Sequence, residues 1–264
     1  MHLRRAIGFT KPERHDPFLL FDDFRSDTPE QYLKGFPWHP HRGIETITYV
    51  IKGEVEHGDS LGNKGIISGG DVQWMTAGSG IIHQEMPKGD NNGSMHGFQL
   101  WLNLPAAEKM SLPRYRDIRK DQIPVVTVEN NVHIRVICGN VGDIEGPVKG
   151  IATDPEYLDI TLPAETTYKH GTKQGYTVMA YVIEGSGNFD ESLAEESGNQ
   201  THLLFGDGEE VAVHSGKGGV RFLLFSGKPL NEPIAWQGPI VMNSQEELLQ
   251  AFDEYQQGTF LKHE

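Results

Sequence analysis

Apolar residues along this chain gather in short runs that close on glycine, proline or acidic residues, the punctuation expected of an all-β protein. Residues 18–24 are apolar and then acidic, which predicts a buried strand ending in a turn, and residues 25–38 read as a loop. Residues 44–51 are dense in β-branched side chains and stop at Lys52-Gly53, a strand and its turn. Short strands separated by glycines follow to residue 85, and residues 98–104 alternate cleanly enough to close a barrel. A second series is predicted at residues 132–138, 157–162, 177–184, 209–213 and 220–226. Leu248, Leu249 and Phe252 have helical spacing, with Ser244 as cap and Glu247 three residues later, so a short amphipathic helix closes the fold.

The two series echo one another. Residues 51–55 recur in altered form at 183–187, and Gly70-Asp71 at Gly206-Asp207, which points to one small β-barrel motif used twice. The expected division is residues 1–125 and 126–264, with the terminal helix in the second domain. Residues 105–121, with Lys109, Arg114, Arg116, Arg119 and Lys120, read as a solvated basic connection between them.

Composition narrows the function. The 264 residues carry a formal net charge of −14, which opposes binding to a phosphate backbone. Cys138 is the one cysteine; no internal disulfide can form, and its apolar surroundings predict a small buried side chain. No run approaches the length of a membrane span, and Met1–Gly8 has basic residues without the apolar stretch of a signal peptide. A cytoplasmic monomer is the expectation.

The candidate chemistry lies in two pairs. His39 and His41, like His83 and Glu85, are separated by one residue, so on a strand each pair projects to one face. If the pairs lie on neighbouring antiparallel strands, three imidazoles and a carboxylate converge, a ligand set that iron, manganese, zinc, nickel or copper accepts. Four such ligands leave part of an octahedron open, and no thiolate is present, so a catalytic centre is expected rather than a structural clip. By parity Glu45 shares the face of His39 and His41. His57 and His96 are expected at the surface, and His170, His202 and His214 lack ligand spacing.

Residues 35–49, 70–78 and 80–87 closely resemble the pirin family of the cupin superfamily, and the likeness continues through residues 100–105 and 238–243. The resemblance implies two tandem cupin barrels, with a metal ion, usually iron(II), in the first. Carried over by motif, the ligands are His39, His41, His83 and Glu85; zinc, nickel, manganese, cobalt and copper stay open. Most cupins take their carboxylate ligand where Glu45 stands, whereas pirins use the position of Glu85. Enzymes of the family resemble quercetin 2,3-dioxygenases, which open the heterocyclic ring of a flavonol with dioxygen and release carbon monoxide. The implied catalytic base is Glu85, and Phe36, Trp38, Met75, Phe98 and Trp101 are the available pocket walls. Other members resemble regulatory modules that bind a transcription factor or metabolic enzyme, and an open metal site would favour catalysis. A sugar- or small-acid-binding cupin would want cationic anchors in the barrel, and few Lys or Arg fall at inward parity.

Overall fold

The computed structural model describes residues 1–190 and 195–263, which form mostly strands arranged as two compact units. One unit comprises Met1–Lys120 together with the chain from Leu230 onward, and the other is Asp121–Pro229.

In the first unit, strands β1 (Arg4–Ile7), β2 (Phe18–Ser26), β3 (Phe36–His41), β4 (Ile44–Lys52) and β5 (Glu54–Asp59) are followed by β6 (Lys64–Ser68), β7 (Val72–Thr76), β8 (Ile81–Lys88), β9 (Met95–Asn103) and β10 (Arg114–Ile118). They build a six-stranded sheet in the order β1-β2-β9-β4-β7-β10 and a four-stranded sheet in the order β3-β8-β5-β6. The two sheets face each other: Thr48 of β4 donates a hydrogen bond across the gap to Glu85 of β8. Two apolar clusters fill this interior. One gathers Leu19, Ile44, Met75 and Ile81, the other Phe24, Val50, Val55 and Ile67. Thr48, Gln99, Glu85, His57 and His83 are buried as well, so the interior carries a set of polar side chains beside its apolar clusters.

Strand alternation breaks between β3 and β4. Gly43 takes φ +78°, and a Cβ there would stand 1.9 Å from the carbonyl oxygen of Val241, so only glycine fits. The break shifts parity by one, with consequences for Glu45 described below.

The terminal segment belongs to this unit. A hairpin of Ala235–Gln237 and Ile240–Met242 meets the residue that follows β3 through a parallel bridge between Arg42 and Ile240. The helix Gln245–Gln256 begins at Ser244, whose hydroxyl accepts from the Glu247 backbone N–H while the Glu247 carboxylate accepts from the Ser244 N–H. Buried Arg42 ties this segment down. Its guanidinium donates to the carbonyls of Ser79 and Phe260 and to Glu254, each at 2.7 Å, and stacks 4.3 Å from the Phe260 ring. Lys109 does the same nearby, donating to Gly43 O, Asn103 Oδ1 and Val241 O.

Three expectations change here. The terminal helix packs with the first unit rather than the second, and the units divide at Lys120/Asp121. The stretch expected as a solvated basic connection supplies β10, which pairs with β7, and contains the fully buried Lys109. The loop expected at 25–38 holds the short helix Pro29–Tyr32, and β3 already begins at Phe36.

The main sheet of the second unit runs in the order Val125–Val128, Val132–Cys138, Glu156–Leu162, Glu210–Gly227, Thr177–Asn188, Ser197–Gly198, and Asn140–Val141 pairs separately with Ile144–Glu145. Thr167–Gly171 adds to Glu210–Gly227, and His202–Leu204 to Thr177–Asn188. The strands expected at 209–213 and 220–226 are one continuous strand. Its interior is a single apolar cluster that includes Ile134, Leu158, Val182, Phe222 and Leu224. Cys138 is buried, as its neighbours predicted, and its thiol donates to Val148 O at 3.3 Å. No helix among the described residues is long and apolar enough to cross a membrane.

Candidate metal centre

Antiparallel pairing of β3 with β8 sets His39 directly opposite His83 and His41 opposite Ile81, so all three imidazoles meet on one side of the four-stranded sheet. One ligand nitrogen from each of His39, His41 and His83 lies within 4.8 Å of the others. The hydrogen bonds fix which nitrogens face inward. His39 Nδ1 lies 2.8 Å from Pro37 O, and His41 Nδ1 lies 3.0 Å from Pro239 O. A carbonyl oxygen only accepts, so both Nδ1 atoms carry the proton, and a neutral ring then has a bare Nε2.

Those two bare nitrogens, His39 Nε2 and His41 Nε2, stand 3.0 Å apart. Two lone pairs have no hydrogen bond to make with each other, and a shared cation removes the conflict. His83 Nε2 is buried with no partner. Burial drives His41 down to about 3, with the neighbouring His39 adding to the shift and the Pro239 bond opposing it. His83 also falls well below the ordinary histidine range, first through burial and then through His41, His39 and His57. Neutral imidazoles with converging lone pairs are the form a transition metal binds, so the donor set fits such an ion.

Glu85 lies outside the tight histidine triple but lines the same cavity as His39 and His41. Its Oε1 accepts from Thr48 Oγ1 at 2.7 Å, and Thr48 Oγ1 also lies 3.3 Å from Gln99 Oε1. The cavity has a volume of about 80 Å³ and opens to solvent, so a bound molecule larger than that would extend out through its mouth. Leu20, Phe36 and Trp101 form its apolar side, and Gln99, Arg5 and Asp22 its polar side. The Trp101 ring meets His41 edge-on at 5.0 Å. Arg5 grips Asp22 with two hydrogen bonds of 2.8 and 2.7 Å. Burial raises the Asp22 carboxyl, and the Arg5 contact opposes that rise.

Several expected residues lie elsewhere. Glu45 pairs in register with Thr76 and Leu102, while Thr48 pairs with Gln73 and Gln99, so the two side chains leave β4 on opposite faces. The Glu45 carboxylate accepts from Thr76 Oγ1 at 2.6 Å, away from the cavity, and burial raises its pKa. The parity expected from His41 fails because of the turn at Gly43. Of the proposed walls, Phe36 and Trp101 line the cavity. Met75 is in the core, Phe98 stacks on Phe21 at 5.5 Å, and Trp38 is 54% exposed.

His57 and His96 are both buried, against expectation. His96 lies 3.6 Å from the Asp23 carboxylate, and His57 stands behind His83. Thr48, Gln99, Asp59, Arg5 and the Pro239 carbonyl escaped sequence reading. Only His57 and Asp59 carried a signal, the same one-residue spacing on a strand that marked the other pairs.

Fold and site together define a tandem cupin whose first barrel holds a histidine cluster beside an open cavity. Residues 1–102 match the pirin family and residues 157–261 the pirin C-terminal cupin domain; the chain belongs to the pirin family. It is 44% identical over 263 residues to a Pseudomonas aeruginosa protein named "Putative quercetin 2,3-dioxygenase", covering 98% of this chain and 91% of that one. It is 42% identical over 254 residues to Pirin-1 of Arabidopsis thaliana, covering 94% and 85%. A crystal structure of quercetin 2,3-dioxygenase from Acinetobacter baumannii superposes with a TM-score of 0.86 at 32% identity, covering 98% of this chain and 91% of that one.

Proposed function

We propose that this pirin is a metal-dependent dioxygenase that opens the heterocyclic ring of a flavonol such as quercetin and releases carbon monoxide. His39, His41, His83 and Glu85 would hold one divalent transition-metal ion, iron(II) by preference. The observation that carries this reading is the meeting of three imidazole nitrogens, those of His39 and His41 bare and that of His83 without a partner, beside a cavity open to solvent. When bound, the ion would supply a Lewis acid for the flavonol oxygen and the redox chemistry that dioxygen requires.

The protein supplies the rest. Leu20, Phe36 and Trp101 offer a flat aromatic molecule an apolar wall and exclude water from one side of it. Gln99 and Arg5, the latter aligned by Asp22, offer polar anchors to its hydroxyl and carbonyl groups. Glu85 takes the proton of the flavonol 3-hydroxyl. Thr48 takes one lone pair of Oε1, and the lone pairs of Oε2 stay open, enough for both the ion and the proton. The names of the relatives point the same way, and the open cavity favours catalysis over a purely regulatory role.

The test is metal analysis of the purified protein, followed by oxygen uptake and carbon monoxide release with quercetin. One metal ion per chain and equal amounts of oxygen consumed and carbon monoxide released are expected. A metal-loaded protein that releases no carbon monoxide overturns the flavonol reading.

A further inference from the structure

We propose that His57 and Asp59 are positioning residues that hold the imidazole of His83 in the one tautomer whose lone pair faces the metal cavity. The inference rests on His83 being a ligand, and on nothing about substrate.

The chain of bonds runs back from the site along two neighbouring strands. Pairing of β5 with β8 sets Asp59 opposite His83 and His57 opposite Glu85. Asp59 Oδ1 accepts from the backbone N–H groups of Leu61 at 2.9 Å and Asn63 at 3.0 Å, and its Oδ2 accepts from Asn63 Nδ2 at 2.9 Å. Every one of these neighbours is a donor, so the carboxylate is an acceptor throughout. The remaining contact of Oδ2 is His57 Nε2 at 3.3 Å, which must therefore carry a proton.

A neutral imidazole protonated at Nε2 is bare at Nδ1. His57 Nδ1 faces His83 Nδ1 at 3.5 Å, long for a hydrogen bond but the polar neighbour the pair offer each other. His57 can only accept there, so His83 donates from Nδ1 and keeps Nε2 unprotonated. That is the atom left without a partner beside His39 and His41. Both rings are buried, at 1% exposure for His57 and 0% for His83, so bulk water does not compete for these nitrogens. Tyr115 lies over His57 with ring centroids 4.6 Å apart and fixes the plane of the ring.

The arrangement ranks Asp59 as the origin of a preference that reaches the cavity two residues away. Replacing a carboxylate oxygen by an amide NH₂ at the same place reverses it. In Asp59→Asn the backbone donors of Leu61 and Asn63 still claim the side-chain oxygen, so the introduced amide turns its NH₂ toward His57 Nε2 and toward the Asn63 side chain, whose own amide flips to accept. His57 must then accept at Nε2 and donate from Nδ1, and His83 accepts at Nδ1 and carries its proton on Nε2. Heavy atoms barely move, yet the lone pair leaves the cavity.

The experiment reads imidazole nitrogen chemical shifts in metal-free protein at mildly alkaline pH, alongside metal affinity by competition with a chelator. In the natural sequence we expect His57 protonated at Nε2 and His83 at Nδ1. Asp59→Asn should move the His83 proton to Nε2 and weaken metal binding by about tenfold or more. His57→Gln, whose oxygen can accept from His83 while its amide donates to Asp59, should hold metal nearly as well as the natural protein. His57→Phe should not.

A His83 ring protonated at Nε2 in the natural protein overturns the proposal without any variant. So does Asp59→Asn that leaves tautomer and affinity unchanged, or His57→Phe that binds metal as well as His57→Gln. The tautomer is read without metal or substrate, so failure to turn over flavonol would sink the dioxygenase reading and leave this one standing.

Discussion

His41 Nδ1 donates to the carbonyl oxygen of Pro239 at 3.0 Å, although 198 positions of sequence separate the two residues. The contact reaches a candidate ligand of the first barrel from a segment that follows the whole second unit. It also settles the tautomer of His41, as Pro37 does for His39. Docking of the terminal segment is therefore part of building the centre, and Arg42 and Lys109 are the two buried cations that secure it.

Arg42→Met should detach that segment. The variant leaves the carbonyls of Ser79 and Phe260 without this donor and takes Arg42 from the Glu254 carboxylate, which keeps Lys262 and Gln250, a loss on the order of 3 kcal/mol. Chemical denaturation should show the lower midpoint, and metal content should fall with it although no ligand has been removed. Unchanged metal content would show that His41 keeps its orientation without Pro239.

Glu85 and Glu45 separate cleanly. Glu85→Gln removes the proposed base and should lower flavonol turnover by about a hundredfold or more while quercetin still binds. Glu45→Gln should leave metal content and turnover unchanged, because burial raises that carboxyl's pKa and its partner is Thr76. Equal loss in both variants would contradict the placement of Glu45 outside the site.

The two carboxylates thus have different positions in the fold, and the reason shows what sequence could reveal. Strand positions, the terminal helix and the pairing of His39, His41 and His83 follow from periodicity, which is local. Glu45 was misplaced because alternation was carried through Gly43, where the approach of Val241 from the far end of the chain leaves room for no side chain. His57 was misplaced for a related reason. Its burial comes from facing the barrel interior, where the rings of His83 and of Tyr115 from β10 cover it, a meeting of strands no local pattern encodes. Lys109 and the basic residues around it looked solvated because composition alone does not show that three carbonyl-type oxygens wait to receive an ammonium group.

The metal-free protein should lose stability in acid. His41 and His83 have folded pKa values below the ordinary histidine value of 6.5, so the unfolded chain binds their protons first. Their contribution is complete above about pH 6.5 and declines as pH falls below it, for His41 down to about 3, by about 1.4 kcal/mol per pH unit while a ring is protonated only in the unfolded chain. Urea midpoints between pH 8 and pH 4 measure the slope. A flat profile would mean that the rings are not neutral when folded.

Phe36→Ala removes part of the apolar wall without touching a candidate ligand. The KM for quercetin should rise by about tenfold, the worth of one lost aromatic contact, while metal content stays at one per chain. A fall in kcat with KM unchanged would place the flavonol elsewhere.

The turn at Gly43 also bears on which acid this barrel presents to its histidines. Strands β4 and β8 each carry one, Glu45 and Glu85, and a single out-of-phase residue sends the first away from the cavity while the second lines it. The identity of the facing acid is thus written in a bend as much as in the acids themselves. That bend admits no side chain, because a distant stretch of polypeptide lays a carbonyl oxygen against it.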